Sequence, residues 1–171
     1  MKTSDKSASP AELAARLNLA PHPEGGYYAE TYRAAGVIPA SALPPQFAGG
    51  RNYSTSILYL LTEGDKSRLH RIRQDEVWHF HLGGPLRLVM IFTDGYFREV
   101  ILGPDIMSGQ RPQFAVPAGC WFGAAPLTGA GYCLMGCTVA PGFDFADFEL
   151  ADGPALAASF PAHAGLIAEF T

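Results

Sequence analysis

The sequence is poor in charge and has no cluster of basic residues. Lysine and arginine number 12 and aspartate and glutamate 16, so 16% of the 171 residues are charged and the formal net charge is −4. Nucleic-acid binding requires a basic patch or stripe, so we expect no nucleic-acid partner. Hydrophobic residues make up 48% of the chain, which is typical of a globular protein and excludes a disordered one.

Cysteines are few and apolar runs are short. Cys120, Cys133 and Cys137 are odd in number and show no Cys-x-x-Cys spacing, so we expect reduced, half-buried thiols and no disulfide framework. No apolar run reaches the length of a membrane span, and the segment MKTSDKSASP lacks the apolar core of a signal peptide. These features predict a cytoplasmic protein with no membrane partner.

Short strand-like segments separated by turn residues fill most of the chain. The length suits one domain with its own core, over residues 1–171. The pattern predicts a fold dominated by β-structure, a sandwich or barrel with short helices at both ends. Its expected parts are a flexible tail over 1–8, a helix over 9–19, a β-region over 27–150 and helices over 153–170. The first helix starts with a capping box at Ser9 and Glu12. Near the end of the chain, Leu166, Ile167 and Phe170 are expected to pack on the sheet.

Three of the five histidines lie in the stretch from Gly64 to Gly83. These are His70, His79 and His81, and Glu76 lies among them. Histidine titrates near neutral pH and binds metals, so clustered histidines beside a carboxylate indicate a site.

The second strand predicted in this stretch places its side chains on two faces. Glu76, Trp78 and Phe80 share one face, and His79 and His81 share the other. If Trp78 enters the core, Glu76 enters with it and the two histidines point outward. A β-bulge would reverse this arrangement, because one extra residue shifts the register.

On the first predicted strand, Arg68, His70 and Ile72 share one face by the same alternation. His70 and Glu76 therefore form the expected inward pair. A carboxylate beside an imidazole fixes its tautomer and raises its basicity. The alternative is a buried polar pair that only stabilises the fold.

The spacing of this stretch resembles the first cupin motif. Gly64, His70, Glu76 and Gly83 match the motif, whereas Ile72 stands where the motif has a second histidine. The second cupin motif, centred on Pro-x-Gly-x-x-His, is similar to the segment from Pro117 to Phe122. There the proline and glycine are present and Phe122 replaces the histidine.

Three longer segments resemble one subfamily, domain of unknown function 985 (the Cupin_5 type). They are His22–Arg33, Ser67–Val89 and Gly136–Leu150. The resemblance implies a cupin-like jelly-roll β-sandwich or barrel that is usually a homodimer. The exposed His79 and His81 face gives a physical motive for such an interface.

The departures from the cupin motifs bear on metal binding. A metal-binding cupin holds its ion with three histidines and one glutamate, and of these the resemblance carries over only His70 and Glu76. Two protein ligands make a poor transition-metal site, so no cofactor is favoured. The alternative is a divalent transition metal held by His70, Glu76 and a displaced His79 or His81.

A small-molecule pocket inside the β-region is the expected site. Its predicted substrate-binding residues are Arg68, Trp78, Phe80, Phe122 and Tyr28. Arg68 would anchor a carboxylate or phosphate, so the expected substrate is a sugar nucleotide or a small organic acid.

The acids at the end of the β-region, Asp144, Asp147 and Glu149, are expected on a solvated edge or at the approach to a helix, and not in a metal cluster.

The favoured function is a metal-independent acid/base enzyme of the isomerase, epimerase or lyase class, with His70 and Glu76 as catalytic residues. A metal-dependent oxygenase or isomerase and a non-catalytic metabolite-binding protein are the alternatives. The likeness to nucleotide-sugar 3,5-epimerases of the cupin fold concerns the fold only.

Overall fold

The computed structural model describes residues 8–171. The predicted tail over 1–8 lies, apart from Ala8, outside the described residues. The first helix, α1 (Pro10–Arg16), begins with the predicted capping box, in which Glu12 N donates to Ser9 Oγ at 3.3 Å and Ser9 N donates to the Glu12 carboxylate at 2.8 Å. It ends before residue 19 because Asn18 adopts a positive φ of 52°, a left-handed conformation that interrupts the helix.

Antiparallel strands are the main secondary structure of the described chain. In chain order they are β1 (Ala20–Pro21), β2 (Tyr27–Arg33), β3 (Val37–Ile38), β4 (Arg51–Asn52), β5 (Thr55–Thr62), β6 (Ser67–Arg71), β7 (Asp75–Gly83), β8 (Leu86–Ile91), β9 (Phe97–Leu102), β10 (Gln113–Val116), β11 (Trp121–Pro126), β12 (Tyr132–Ala140) and β13 (Glu149–Leu150). Two α-helices follow, α2 (Gly153–Ser159) and α3 (Ala164–Phe170).

The strands form two main sheets. One has six strands in the order β1-β2-β5-β12-β7-β10, and the other has five in the order β13-β6-β11-β8-β9. Strands β3 and β4 form a separate pair. The fold is the predicted jelly-roll β-sandwich with short terminal helices.

Two hydrophobic clusters hold these layers together. The larger one fills the space between the sheets and includes Tyr59, Trp78 and Phe122, each at most 1% exposed. The second lies under the terminal helices, where Ile167 and Phe170 pack against the five-stranded sheet. Leu166 packs against this cluster as well, which confirms the predicted docking of the last helix. Among residues 8–171, no helix combines the length and hydropathy needed to cross a membrane.

A register shift in β6 changes which of its side chains face inward. Phe122 pairs with His70 and Ala124 pairs with Ser67, so β6 holds one more residue than β11 between these two pairs. Such an extra residue resets the alternation. Ser67 and His70 therefore face the same side, and the predicted sharing of a face by Arg68 and His70 is wrong.

A second shift lies in β7. Met135 pairs with Phe80 and Leu134 pairs with Leu82, which leaves His81 as the extra residue. This bulge lies after His79 in the chain, so it does not turn the His79 side chain inward. His79 stays on the side opposite the buried Trp78.

Candidate functional site

A cavity of about 330 Å³ opens between the two sheets. Its closed end consists of buried polar side chains, namely His22, Glu24, His70, Glu76 and Cys137. Its aromatic wall consists of Tyr28, Phe143, Phe145 and Phe148, and its open end carries Glu30, Arg33 and Asp144. The side chains of Arg33 and Glu30 are 40% and 38% exposed, whereas that of His70 is 3% exposed. The polar groups at the closed end are therefore largely withdrawn from solvent.

His70 is fixed from both sides of its ring. Its Nδ1 lies 2.7 Å from the carbonyl oxygen of Arg68, and a carbonyl only accepts, so Nδ1 carries the proton. The ring packs against Phe122 and Phe148 at centroid distances of 4.1 and 5.3 Å. Only Nε2 is left for other chemistry.

Glu24 is the carboxylate beside this nitrogen. Its Oε2 lies 3.1 Å from His70 Nε2, and its Oε1 accepts a hydrogen bond from Ser67 Oγ at 2.9 Å. Two unprotonated acceptor atoms 3.1 Å apart would repel each other. The His70–Glu24 pair therefore holds one proton between His70 Nε2 and Glu24 Oε2. With that proton on either atom the pair carries no net charge.

A turn delivers Glu24 to this position. His22 N donates to Gly26 O and Gly25 N donates to His22 O, both at 3.0 Å. Gly25 has φ of 116°, and a Cβ there would lie 2.1 Å from the carbonyl oxygen of Lys66. Glycine is thus required for the turn to approach the start of β6 closely. Sequence reasoning named neither His22 nor Glu24 as a site residue, although the Gly25–Gly26 pair after polar His22 and Glu24 was an available signal.

His22 is a neutral donor at the same end of the cavity. Its Nδ1 accepts a hydrogen bond from Glu24 N at 3.3 Å, which places the ring proton on Nε2. Burial lowers the pKa of His22, and the Glu24 charge opposes this only in part. The imidazole is therefore uncharged at neutral pH and presents an N–H group.

Glu76 is a protonated acid at neutral pH. Burial, and to a lesser degree the charge of Glu24, raise its pKa to about 8. The thiol of Cys137 lies next to it, and burial raises the pKa of that thiol well above its ordinary value. Cys137 is one of three free, buried cysteines, so it is a neighbour of the acid and not a thiolate nucleophile.

The predicted catalytic pair lines one cavity, but its members have different partners from those expected. His70 and Glu76 both face the cavity. The carboxylate next to His70 is Glu24, and the tautomer is fixed by the Arg68 carbonyl.

The predicted substrate-binding residues are spread over the cavity and its surroundings. Tyr28 belongs to the aromatic wall. Trp78 and Phe122 lie in the core, with Phe80 packed against it, outside the cavity lining. Arg68 also lies outside the lining, since its guanidinium donates to the carbonyl oxygens of Pro23 at 2.6 Å and Glu24 at 3.4 Å.

The other two histidines of the central stretch are remote from this site. His79 Nε2 lies 3.2 Å from Thr138 Oγ1, and its ring stacks on that of His81 at a centroid distance of 6.5 Å. They therefore do not join His70 and Glu76 in a ligand set. Within the described range, 8–171, no three or more His, Cys, Asp or Glu side chains are arranged to share a metal ion.

The aromatic wall is anchored by a buried ion pair. Asp147 lies in the segment that carries Phe145 and Phe148, and its carboxylate accepts two hydrogen bonds from the Arg51 guanidinium at 2.7 Å each. Gln74 Nε2 donates to the same carboxylate at 2.7 Å. The side chain of Asp147 is 0% exposed, so the expectation of a solvated edge is wrong for this residue. Its negative charge is stabilised by Arg51 and by hydrogen bonds.

Fold and site together define a cupin. A family profile described as Cupin superfamily (DUF985), Cupin_5, matches residues 11–151. The chain belongs to this family, which confirms the resemblance seen in the sequence. The cupin superfamily has a fold that binds small molecules.

Individual relatives match most of this chain. It is 38% identical to protein SO0799 from Shewanella oneidensis, with a TM-score of 0.82 over 100% of this chain and 98% of that one. A hypothetical protein from Leishmania major is 34% identical, with a TM-score of 0.87 over 96% and 99% of the two chains. The uncharacterized protein YML079W of Saccharomyces cerevisiae is 29% identical in an alignment of 143 residues that covers 79% of this chain and 71% of that protein.

One more distant match concerns the fold alone. Oxalate decarboxylase from Bacillus subtilis is 14% identical, with a TM-score of 0.53 over 88% of this chain and 36% of that chain.

Proposed function

We propose that the protein is an acid/base enzyme of the isomerase, epimerase or lyase class that moves a proton on a small molecule held in the cavity. One observation carries this proposal. The closed end combines a carboxylic acid that keeps its proton, Glu76, with an imidazole, His70, whose Nδ1 is committed to a carbonyl. A proton donor beside a group that accepts a proton is what proton transfer requires.

The contacts assign a role to each residue. The ligand proton passes to the His70–Glu24 pair, which starts with one shared proton and no net charge and ends with one proton on His70 Nε2 and one on the Glu24 carboxyl group. Glu76 supplies a proton, or a hydrogen bond, to a ligand oxygen that gains negative charge. Burial at the closed end strengthens both interactions, because the local dielectric is low.

A binding protein without turnover is the second candidate. It is favoured by the contacts of His70, both of whose ring nitrogens have a protein partner in Arg68 and Glu24. In that case the His70–Glu24 pair would only orient a ligand.

Proton exchange with solvent separates the two candidates. We would incubate the protein in deuterium oxide with a panel of aldoses, ketoses and hydroxy ketones, and follow carbon-bound deuterium by nuclear magnetic resonance. Exchange should fall by about 10²–10⁴-fold in His70→Gln and in Glu76→Gln, the usual range for loss of a general acid or base. His79→Gln is the matched control, because His79 lies outside the cavity.

Binding without exchange by any compound of the panel would favour the binding protein. Exchange that survives in His70→Gln, with the variant folded, would remove His70 from the chemistry.

A further inference from the structure

We propose that the cavity selects an uncharged, hydroxyl-rich ligand of about the size of a single sugar ring and discriminates against anions. This inference rests on the proposed function, since it concerns the same cavity. It differs from the sequence-based expectation of a sugar nucleotide or an organic acid, in which Arg68 binds the charge of the substrate.

The cation of the cavity lining, Arg33, is already largely committed to protein partners. Arg33 Nε and Nη2 donate to the two Glu30 carboxylate oxygens at 2.9 and 2.7 Å. Its Nη1 donates to Asn52 Oδ1 at 2.9 Å and to Phe143 O at 3.2 Å. Four of the five N–H groups of a guanidinium are therefore used, and its charge is balanced by Glu30.

The closed end offers no positive charge either. The His70–Glu24 pair holds a single proton, and Nδ1 of His22 accepts the backbone N–H of Glu24. Asp144, at the open end, has its carboxylate bound only to the N–H of Ala146 at 2.8 Å among the described residues. An anion entering this cavity would lose its hydration without gaining a cation, which is unfavourable.

Uncharged hydroxyl groups do find partners at the closed end. His22 presents an Nε2–H donor, and Glu76 presents an acid that both donates and accepts. The carboxylate oxygens of Glu24, which have further lone pairs, supply acceptor positions. These groups converge at one end, as expected for the polar part of a small-molecule site.

The aromatic wall suits the apolar face of a sugar ring. Phe143, Phe145 and Phe148 contact one another at centroid distances of 5.0, 6.0 and 6.4 Å, and Tyr28 lies edge-on to His22 at 4.5 Å. The cavity volume of about 330 Å³ is near the lower end of the range of about 300–1,000 Å³ for ligand sites. It fits one ring better than a nucleotide sugar.

Matched ligands test the discrimination. We would measure calorimetric affinities for glucose and galactose, each compared with its uronic acid and its phosphate ester. The neutral sugar should bind at least about tenfold more tightly than either anion. In Glu30→Gln the guanidinium of Arg33 is released, so affinity for the uronic acid should rise while that for the neutral sugar changes little.

Glu149→Gln is the matched control. Arg71 and Glu149 form a similarly exposed ion pair at 2.7 Å outside the cavity, so this variant should leave all affinities unchanged. The proposal is overturned if the anions bind wild type as tightly as the neutral sugars. It is also overturned if neither sugar binds at millimolar concentration, or if Glu30→Gln leaves affinity for the uronic acid unchanged.

These outcomes are distinct from failure of the proposed function. Binding of a neutral sugar without deuterium exchange would end the acid/base proposal and leave this inference intact. Deuterium exchange catalysed on a uronic acid would support the acid/base proposal and contradict this inference.

Discussion

Glu24 reaches across the sandwich to His70, with 3.1 Å between Oε2 and Nε2. Glu24 lies in the turn that leads into the six-stranded sheet, and His70 lies on β6 of the five-stranded sheet. The contact therefore joins the two layers at the closed end of the cavity. Stability and the chemistry of the cavity both depend on it.

Removing Glu24 should destabilise the fold. Glu24→Ala leaves His70 buried without its charged partner, and loss of one member of such a pair typically costs about 3–5 kcal/mol. Ser67→Ala removes only a hydrogen bond to the same carboxylate and should cost about 1–2 kcal/mol. Urea unfolding of the two variants measures both values. Equal, small effects would show that the pair contributes little to stability.

Glu76 should make stability fall as the pH rises. Its folded-state pKa of about 8 lies above the reference value of 4.5, so the folded chain binds this proton more tightly than the unfolded chain does. The contribution of Glu76 to the free energy of unfolding is complete below about pH 4.5 and is lost as the pH rises through about 8.

The variant Glu76→Gln cannot ionise and should not show that loss. Its stability relative to wild type should increase with pH, by about 4–5 kcal/mol between about pH 4 and about pH 9. Thermal unfolding at several pH values measures the trend. A difference that stays constant with pH would mean that Glu76 is ionised in the folded protein.

Arg51 and Asp147 should behave as a unit. Asp147→Leu leaves a buried guanidinium without its partner and should cost about 3–5 kcal/mol, whereas Arg51→Met combined with Asp147→Leu should recover much of that loss. Denaturant unfolding of the single and double variants gives the coupling energy. Additive losses would show that the two side chains act independently.

The cysteines should resist modification until the protein unfolds. Burial raises the pKa of Cys120 and of Cys133 to about 12, and it raises the pKa of Cys137 well above its ordinary value. Thiol titration at mildly alkaline pH should find almost no reaction in the native protein and three thiols per chain in urea. Rapid reaction of one native thiol would reveal a local opening at that residue.

Purified protein without an affinity tag should contain far less than one transition metal per chain. Ile72 and Phe122 supply no donor atoms, and His79 and His81 lie away from the cavity. Mass spectrometric metal analysis measures the content. One transition metal per chain would mean that the ion has ligands other than a set built on His70 and Glu76.

Local alternation predicted part of the site. His70 and Glu76 were assigned to the interior because strand side chains alternate, and both line the cavity. Ser67, and not Arg68, shares the inward face of His70 because β6 contains a bulge. Alternation along a single strand does not reveal such a bulge. The sequence pattern alone therefore misplaced the arginine.

Long-range contacts account for most of the remaining differences. Glu24 becomes the partner of His70 only when the turn crosses to the other sheet, and Asp147 becomes buried only because Arg51 folds against it. Neither pairing leaves a local signature in hydropathy or spacing. The fold, in contrast, follows from many short strands and from motifs that span most of the chain.

The two ends of the cavity differ in how readily their residues can change. At the closed end, the Glu24 contact with His70 joins both layers, so substitutions there alter the packing of the sheets and the cavity lining together. At the open end, Glu30, Arg33 and Asp144 lie near solvent and bear little on the core. Substitutions at the open end can therefore change ligand preference while the contacts of the closed end are retained.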